Sequence, residues 1–303
     1  TNTDTIQRVE SDVSDLITKV NGRNLLDNSN FQIQQRGYGP HLLATAGDHG
    51  VDRWASFQNS TTHSLLASFD QEYLVMSRTT TTSTILAAQA IRLPARGKVP
   101  YVAGSTFTLS WEQHSAVEHS AGARVSFQQD WVYSSGEVIH EAPAIMTIPA
   151  SSWTRVSTTF TIAGDPSAAM DRVAVEVGAF GGASITAGEF VRIRNVKLEL
   201  GSIETAYEPT PYGVDESECM KWLFVLDGNH PMYTYTTTAS ARRTQVSHPK
   251  MYFLPAVTDI TVSLGTPVFA ASYSGLAHTT ISSEVGNTNS IVQLQSATMS
   301  CEL

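Results

Sequence analysis

The chain has 303 residues, 41% of them hydrophobic and only 16% charged, with a formal net charge of −9. That length holds one large or two medium domains. The acidity and the lack of any basic run argue against nucleic-acid binding, which needs clustered Lys and Arg. No apolar stretch approaches the roughly 18 residues of a membrane span, so no membrane insertion is expected. No signal peptide is visible and the first residue is Thr, which predicts a fragment or a processed chain.

The first predicted element is a helix over IQRVESDVSDLITKVNG, residues 6 to 22. Ile6, Val13 and Val20 fall at heptad position a, and Val9 and Leu16 at d. Asp4 and Gln7 make a capping-box-like pair, and Asn21-Gly22 a stop. The stripe fits an amphipathic helix on its own domain, or a coiled-coil stub joining copies of the chain. β-Branched residues at both a and d favour more than two strands. About two heptads are too few to hold an oligomer alone.

Residues 23–209 read as one β-domain. In STFTLSW, Phe107, Leu109 and Trp111 share a face, with Thr106, Thr108 and Ser110 opposite. RVAVEV alternates likewise, with Val173, Val175 and Val177 against Arg172, Ala174 and Glu176. Such alternation marks strands with one face buried and the other in water. ARVSF, TRVSTTFTI and EFVRIRNVKLEL are further strands, punctuated by Gly and Pro. Many short strands with turn signals predict a sandwich or jelly roll.

Residues 202–213, SIETAYEPTPYG, form an extended connector, because Pro209 and Pro211 disfavour helix before them. A short helix follows, with Asp215 as N-cap and Glu218 completing a D-x-x-E box. Thereafter β-pattern runs to the end, where Ala297, Met299, Cys301 and Leu303 alternate with polar residues. A smaller C-terminal β-domain is therefore placed at 210–303. Cys219 and Cys301 are too few for a disulfide scaffold. One bridge or two buried thiols fit, and the thiols are the expectation.

Three stretches carry a resemblance. NLLDNSNFQIQQRG (24–37) with DRW (52–54) resembles the start of a jelly-roll domain of bacteriophage tail fibre proteins, related to carbohydrate-binding modules. NVKLELGSIETAYEP (195–209) resembles its end. ESECMKWLF, HPKMYFLPAVT and SATMSCEL resemble the small β-domain that follows in the same proteins. The resemblance implies the distal part of a trimeric fibre, with residues 1–22 as a trimeric coiled-coil helix and 210–303 as the distal tip. It also implies a virion protein acting outside the host cell. Related jelly rolls often hold a structural Ca²⁺ on carboxylates. Here the matching positions are Phe31-Gln32 and Asn195-Val196-Lys197-Leu198, with neutral amides for carboxylates, so no Ca²⁺ or other cofactor is expected.

Catalytic signals are lacking. No spacing singles out the carboxylate pair of a glycosidase, and Asp48, Asp52 and Glu72 read as solvated loop charges. Glu112, His114, Glu118 and His119 lie close in sequence but lack the H-E-x-x-H pattern, and read as a polar loop at a domain edge. For sugar recognition the candidates are Tyr233, Tyr235, Arg242 and Arg243, then Trp131 and Tyr133 before a turn, and Tyr273 and His278 in a Gly-containing loop. Trp111 and Trp54 are assigned to the core, while Trp153 and Trp222 receive no role. The expected function is non-catalytic attachment of a homotrimer to host cell-surface glycan (lipopolysaccharide or capsule), or to an outer-membrane protein, with the upstream fibre or other tail proteins as further partners. A structural adaptor and a polysaccharide depolymerase are the alternatives.

Overall fold

The computed structural model describes residues 22–35, 40–43, 49–55, 61–64, 73–93, 101–129, 136–221, 223–231, 233–234, 241–247, 256–262, 268–274, 278–284 and 293–300. The chain divides into two compact units, Thr1–Gln32 with Tyr38–Thr210, and Ile33–Gly37 with Pro211–Leu303. The heptad positions Ile6, Val9, Val13, Leu16 and Val20 lie outside the described residues.

The strands described in the first unit are, in chain order, β1 (Pro40–Leu43), β2 (His49–Val51), β3 (Trp54–Ala55), β4 (Thr61–Ser64), β5 (Leu74–Arg78), β6 (Thr82–Arg92), β7 (Thr106–Ser115), β8 (His119–Gln128), β9 (Glu137–Ile148), β10 (Thr154–Thr161), β11 (Arg172–Ile185) and β12 (Phe190–Leu200). They form two six-stranded sheets, ordered β1-β4-β5-β12-β7-β10 and β2-β3-β6-β11-β8-β9. All pairings are antiparallel. From β5 onward the chain mostly steps from one sheet to the other, the connectivity of a β-sandwich of jelly-roll kind.

The core lies between the sheets. Phe107, Leu109 and Trp111 of β7, and Val191, Ile193, Val196 and Leu198 of β12, come from the first sheet. Val173, Val175 and Val177 of β11, with Val125 and Phe127 of β8, come from the second. Both alternation patterns therefore read the buried face correctly. The expectation for the opposite faces needs correction. Thr108 and Ser110 are buried on the far side of β7, as are Ala174 and Glu176 on the far side of β11. On β7 the cause is visible, because Gly201 and the connector after it fold back over that face. Thr108 Oγ1 donates to the Gly201 carbonyl at 2.9 Å, and Thr205 donates its backbone N–H to Glu199 at 2.9 Å.

The stretches that carry the resemblance are internal fasteners. Trp54 is buried, donates its indole N–H to the Asn28 carbonyl at 2.9 Å, and meets Phe31 at 5.0 Å between ring centroids. Arg53 is buried at a left-handed φ of 73°, reaching Asp27 at 3.2 Å and the Ala90 carbonyl at 2.7 Å. Asn24 bonds the Val196 carbonyl and the Leu198 N–H, tying the start of the unit to its last strand.

The second unit opens with helix α1, Tyr212–Cys219. It starts three residues before the expected N-cap. Pro211 takes that place with φ −55° and no side-chain cap, and Asp215 is buried inside the first turn. Proline fixes the helical φ and needs no donor at a helix start, so it opens the helix its own ring would otherwise break. Cys219 is buried at the other end, whereas Cys301 and Leu303 lie outside the described residues. Strands β13 (Leu223–Pro231), β19 (Gln293–Ser300) and β16 (Ala256–Val262) form one sheet. Strands β14 (Tyr233–Thr234), β15 (Ala241–Ser247), β18 (His278–Glu284) and β17 (Val268–Ser274) form another. Among the described residues no helix is long and apolar enough to cross a membrane.

Candidate functional site

A β-bulge in β12 builds the most distinctive surface. Arg194 lies opposite Glu112 of β7, and Lys197 opposite Ser110, so β12 carries one more residue than its partner between these pairs. Asn195 absorbs the extra residue at a left-handed φ of 52°, a conformation asparagine tolerates better than most residues. The bulge brings two consecutive side chains to one carboxylate. Arg194 Nε donates to Glu112 Oε2 at 2.7 Å, and Asn195 Nδ2 donates to Glu112 Oε1 at 3.0 Å. From the other side, β10 sets Arg155 opposite Glu112 in register. Arg155 reaches the Asn195 carbonyl at 2.9 Å, Ser110 Oγ at 2.7 Å and Glu204 at 2.7 Å.

Aromatic rings flank these charges. The Arg194 guanidinium lies over the Trp153 ring, 4.1 Å from its centroid. Trp153 also meets His114 at 5.4 Å and Tyr73 at 5.9 Å, both tilted. Arg192, in register with His114, bonds its Nδ1 at 3.3 Å and lies 5.8 Å from the Tyr73 centroid. Trp153, Tyr73, His114, Arg192 and Arg194 are all half-buried, so they are both fixed and reachable. Beside them is an open pocket of about 370 Å³ lined by Glu112, Arg155, Asn195 and the connector residues Glu204–Tyr207.

Charge and burial set the protonation states. Burial pushes the Glu112 carboxyl up, but the bonds from Asn195 and Arg194 and the Arg194 and Arg155 charges outweigh it, holding the group below its ordinary range. Burial, then the Arg192 and Arg194 charges, lower the pKa of His114, which is therefore neutral at pH 7. Both carboxylates at the pocket are paired with arginines, Glu112 with Arg194 and Glu204 with Arg155.

Next to the pocket, Lys197 and Glu199 of β12 are buried together, 3% and 0% exposed, with Nζ 3.2 Å from the carboxylate. Lys197 also donates to Thr205 Oγ1 and, at 2.9 Å, to the Ala206 carbonyl. The Lys197 Nζ thus sits among the oxygens of Glu199, Thr205 and Ala206. Among the described residues no group of three or more His, Cys, Asp or Glu is arranged to hold a metal ion.

The polar-loop reading fits Glu118, exposed between β7 and β8, but needs correction for Glu112, His114 and His119. Glu112 and His114 lie within β7, and His119 opens β8, buried, with its ring 2.6 Å from Gln113 Nε2. Of the sugar-binding candidates, Trp131, Tyr133 and Tyr235 lie outside the described residues. Strand pairing sets Tyr233 opposite Arg243 and Thr234 opposite Arg242. Tyr273 is in β17 opposite Thr280, and His278 in β18 opposite Ser247. They are strand residues, where loop positions were expected, because the SYSGLAH stretch is mostly taken up by strand ends. Sequence reasoning gave no role to Trp153, Tyr73, Arg155, Arg192 or Arg194. Arg192 and Arg194 were legible only as the polar half of an alternating strand.

No protein-family model matches the chain, and no curated protein matches it. Among solved structures, the N-terminal cellulose-binding domain of a glucanase from Cellulomonas fimi matches at 13% identity over 57% of this chain and 95% of its own, with a TM-score of 0.33. A xylan-binding domain from Paenibacillus barcinonensis matches at 11% identity over 51% and 94%, TM-score 0.34. The tripod from the baseplate of bacteriophage Tuc2009 matches at 17% identity over 87% and 91%, TM-score 0.30. The chain's structural neighbours thus include carbohydrate-binding modules and a phage baseplate protein, and scores this low assign no function.

Proposed function

We propose that this chain is a non-catalytic glycan-binding protein, the distal receptor-binding part of a phage tail fibre acting at the host cell surface. The observation that carries the glycan reading is the face made by Trp153 and Tyr73 beside Arg192, Arg194 and the open pocket. A pyranose has an apolar face that lies against a ring and hydroxyls that suit amide, carboxylate and guanidinium partners. The fibre reading rests on the resemblance of residues 24–37, 195–209 and 216–224 to tail fibre proteins. Its trimeric state rests on that resemblance and the heptad stub. The non-catalytic reading is supported by the lack of a glycosidase carboxylate pair in the sequence pattern and by the pairing of Glu112 and Glu204, the two carboxylates at the pocket, with arginines.

The test is a glycan array probed with the intact chain and with Trp153→Ala. Binding that the substitution abolishes supports the reading. Failure of the intact chain to bind any glycan or to label host cells sinks it. Light scattering decides the oligomer, and a stable monomer at micromolar concentration removes the trimer.

A further inference from the structure

Of the three arginines on this face, two have a carboxylate and one does not. Arg194 pairs with Glu112 and Arg155 with Glu204. Among the described residues Arg192 has only the His114 ring, at 3.3 Å, and its Nε is buried with no acceptor. Half-buried, with its Nε shielded from water and no carboxylate beside it, this guanidinium is incompletely compensated. Its partner adds no negative charge, because His114 is a neutral imidazole here. The guanidinium also lies beside the Tyr73 ring, which joins Trp153 in an apolar wall next to it.

A planar guanidinium fork matches carboxylate and phosphate oxygens in two-point contact. Resting on the glycan-binding reading above, we infer that the ligand of this face is an acidic saccharide, whose carboxylate or phosphate is received by Arg192 while a sugar ring lies against Tyr73 and Trp153. Neutral saccharides would leave Arg192 uncompensated and bind less tightly.

The test uses the intact chain on a panel pairing uronic-acid-bearing and phosphate-bearing glycans with neutral glycans of the same backbone. Wild type, Arg192→Gln and Arg192→Lys are compared at low and high salt. The expected result is binding confined to acidic members and weakened by salt. Arg192→Gln should lower it at least about tenfold, with partial retention in Arg192→Lys, which keeps charge but not the fork. The carboxylate and phosphate arms separate the two sources of anion. Binding to neutral members that Arg192→Gln leaves unchanged overturns this inference while the glycan reading stands. Binding to no member overturns both. Should Arg192→Gln fail to fold, the acidic-to-neutral ratio and salt dependence of the wild type decide alone.

Discussion

The Arg194 guanidinium lies 4.1 Å from the centroid of the Trp153 ring while its Nε donates to Glu112 at 2.7 Å. One side chain thus connects a ring that directly precedes β10 to a carboxylate on β7. Two simultaneous contacts leave the guanidinium little freedom, and the ring is held with it. A pre-fixed ring spends less entropy when a ligand stacks on it.

Trp153→Ala removes this ring from Arg194, His114 and Tyr73. Glycan affinity should fall at least about tenfold, or about 1.4 kcal/mol. Folding stability should fall only by about 1 kcal/mol, the scale of a partly exposed cation–π contact. Titration calorimetry with an array hit and denaturant unfolding check the two effects separately.

Glu176 predicts an unusual dependence of stability on pH. It is fully buried in the middle of the second sheet, and among the described residues neither carboxylate oxygen has a hydrogen-bond partner. Its pKa is raised to about 7, chiefly by burial, with Arg124 on β8 opposing the rise and Glu141 on β9 adding to it. The folded state therefore holds this proton more tightly than the unfolded chain does. Its contribution is complete below pH 4.5, the ordinary value of a glutamate, and is lost as pH rises toward 7. The loss is on the order of 3 kcal/mol. Glu176→Gln should be more stable than wild type at pH 8 and should lack this slope, as urea melts at several pH values will show.

Lys197 and Glu199 test the buried pair beside the pocket. Lys197→Met leaves Glu199 charged and enclosed, and should cost about 3 to 5 kcal/mol. Combining it with Glu199→Gln removes the charge but keeps an acceptor for the Thr205 N–H, and should recover more than half. A double mutant no better than the single would show that packing, rather than charge, sets the cost.

Gly178 is constrained by space as well as by backbone. Its φ is 147°, and a Cβ there would come within 2.2 Å of the Ile85 carbonyl oxygen on β6. Gly178→Ala must push two paired strands apart, and should cost about 2 kcal/mol or more. Gly164, with open space around it, is the control: its alanine variant should melt within about 0.5 kcal/mol of wild type.

The local part of this architecture was legible from residue order. Phe107, Leu109 and Trp111, and Val173, Val175 and Val177, alternate with polar residues, and each trio is in the core. Pro211 marked a boundary, although it opens a helix that Asp215 was expected to cap. Side chains in a strand switch faces at every residue, so burial on one face follows from the order of residues alone. What lies on the other face does not. Register between strands far apart set Arg155, Glu112 and Arg194 in one row, and a bulge at Asn195 turned two neighbours toward one carboxylate. Trp153 meets Arg194 and Tyr73 across gaps of 41 and 80 residues, where no local period reaches. The folded-back connector covers one of the faces that alternation assigned to water. The sequence by itself determined the strands and the face each turns to the core. Only tertiary structure decided which polar residues meet, because pairing and covering are contacts between distant segments.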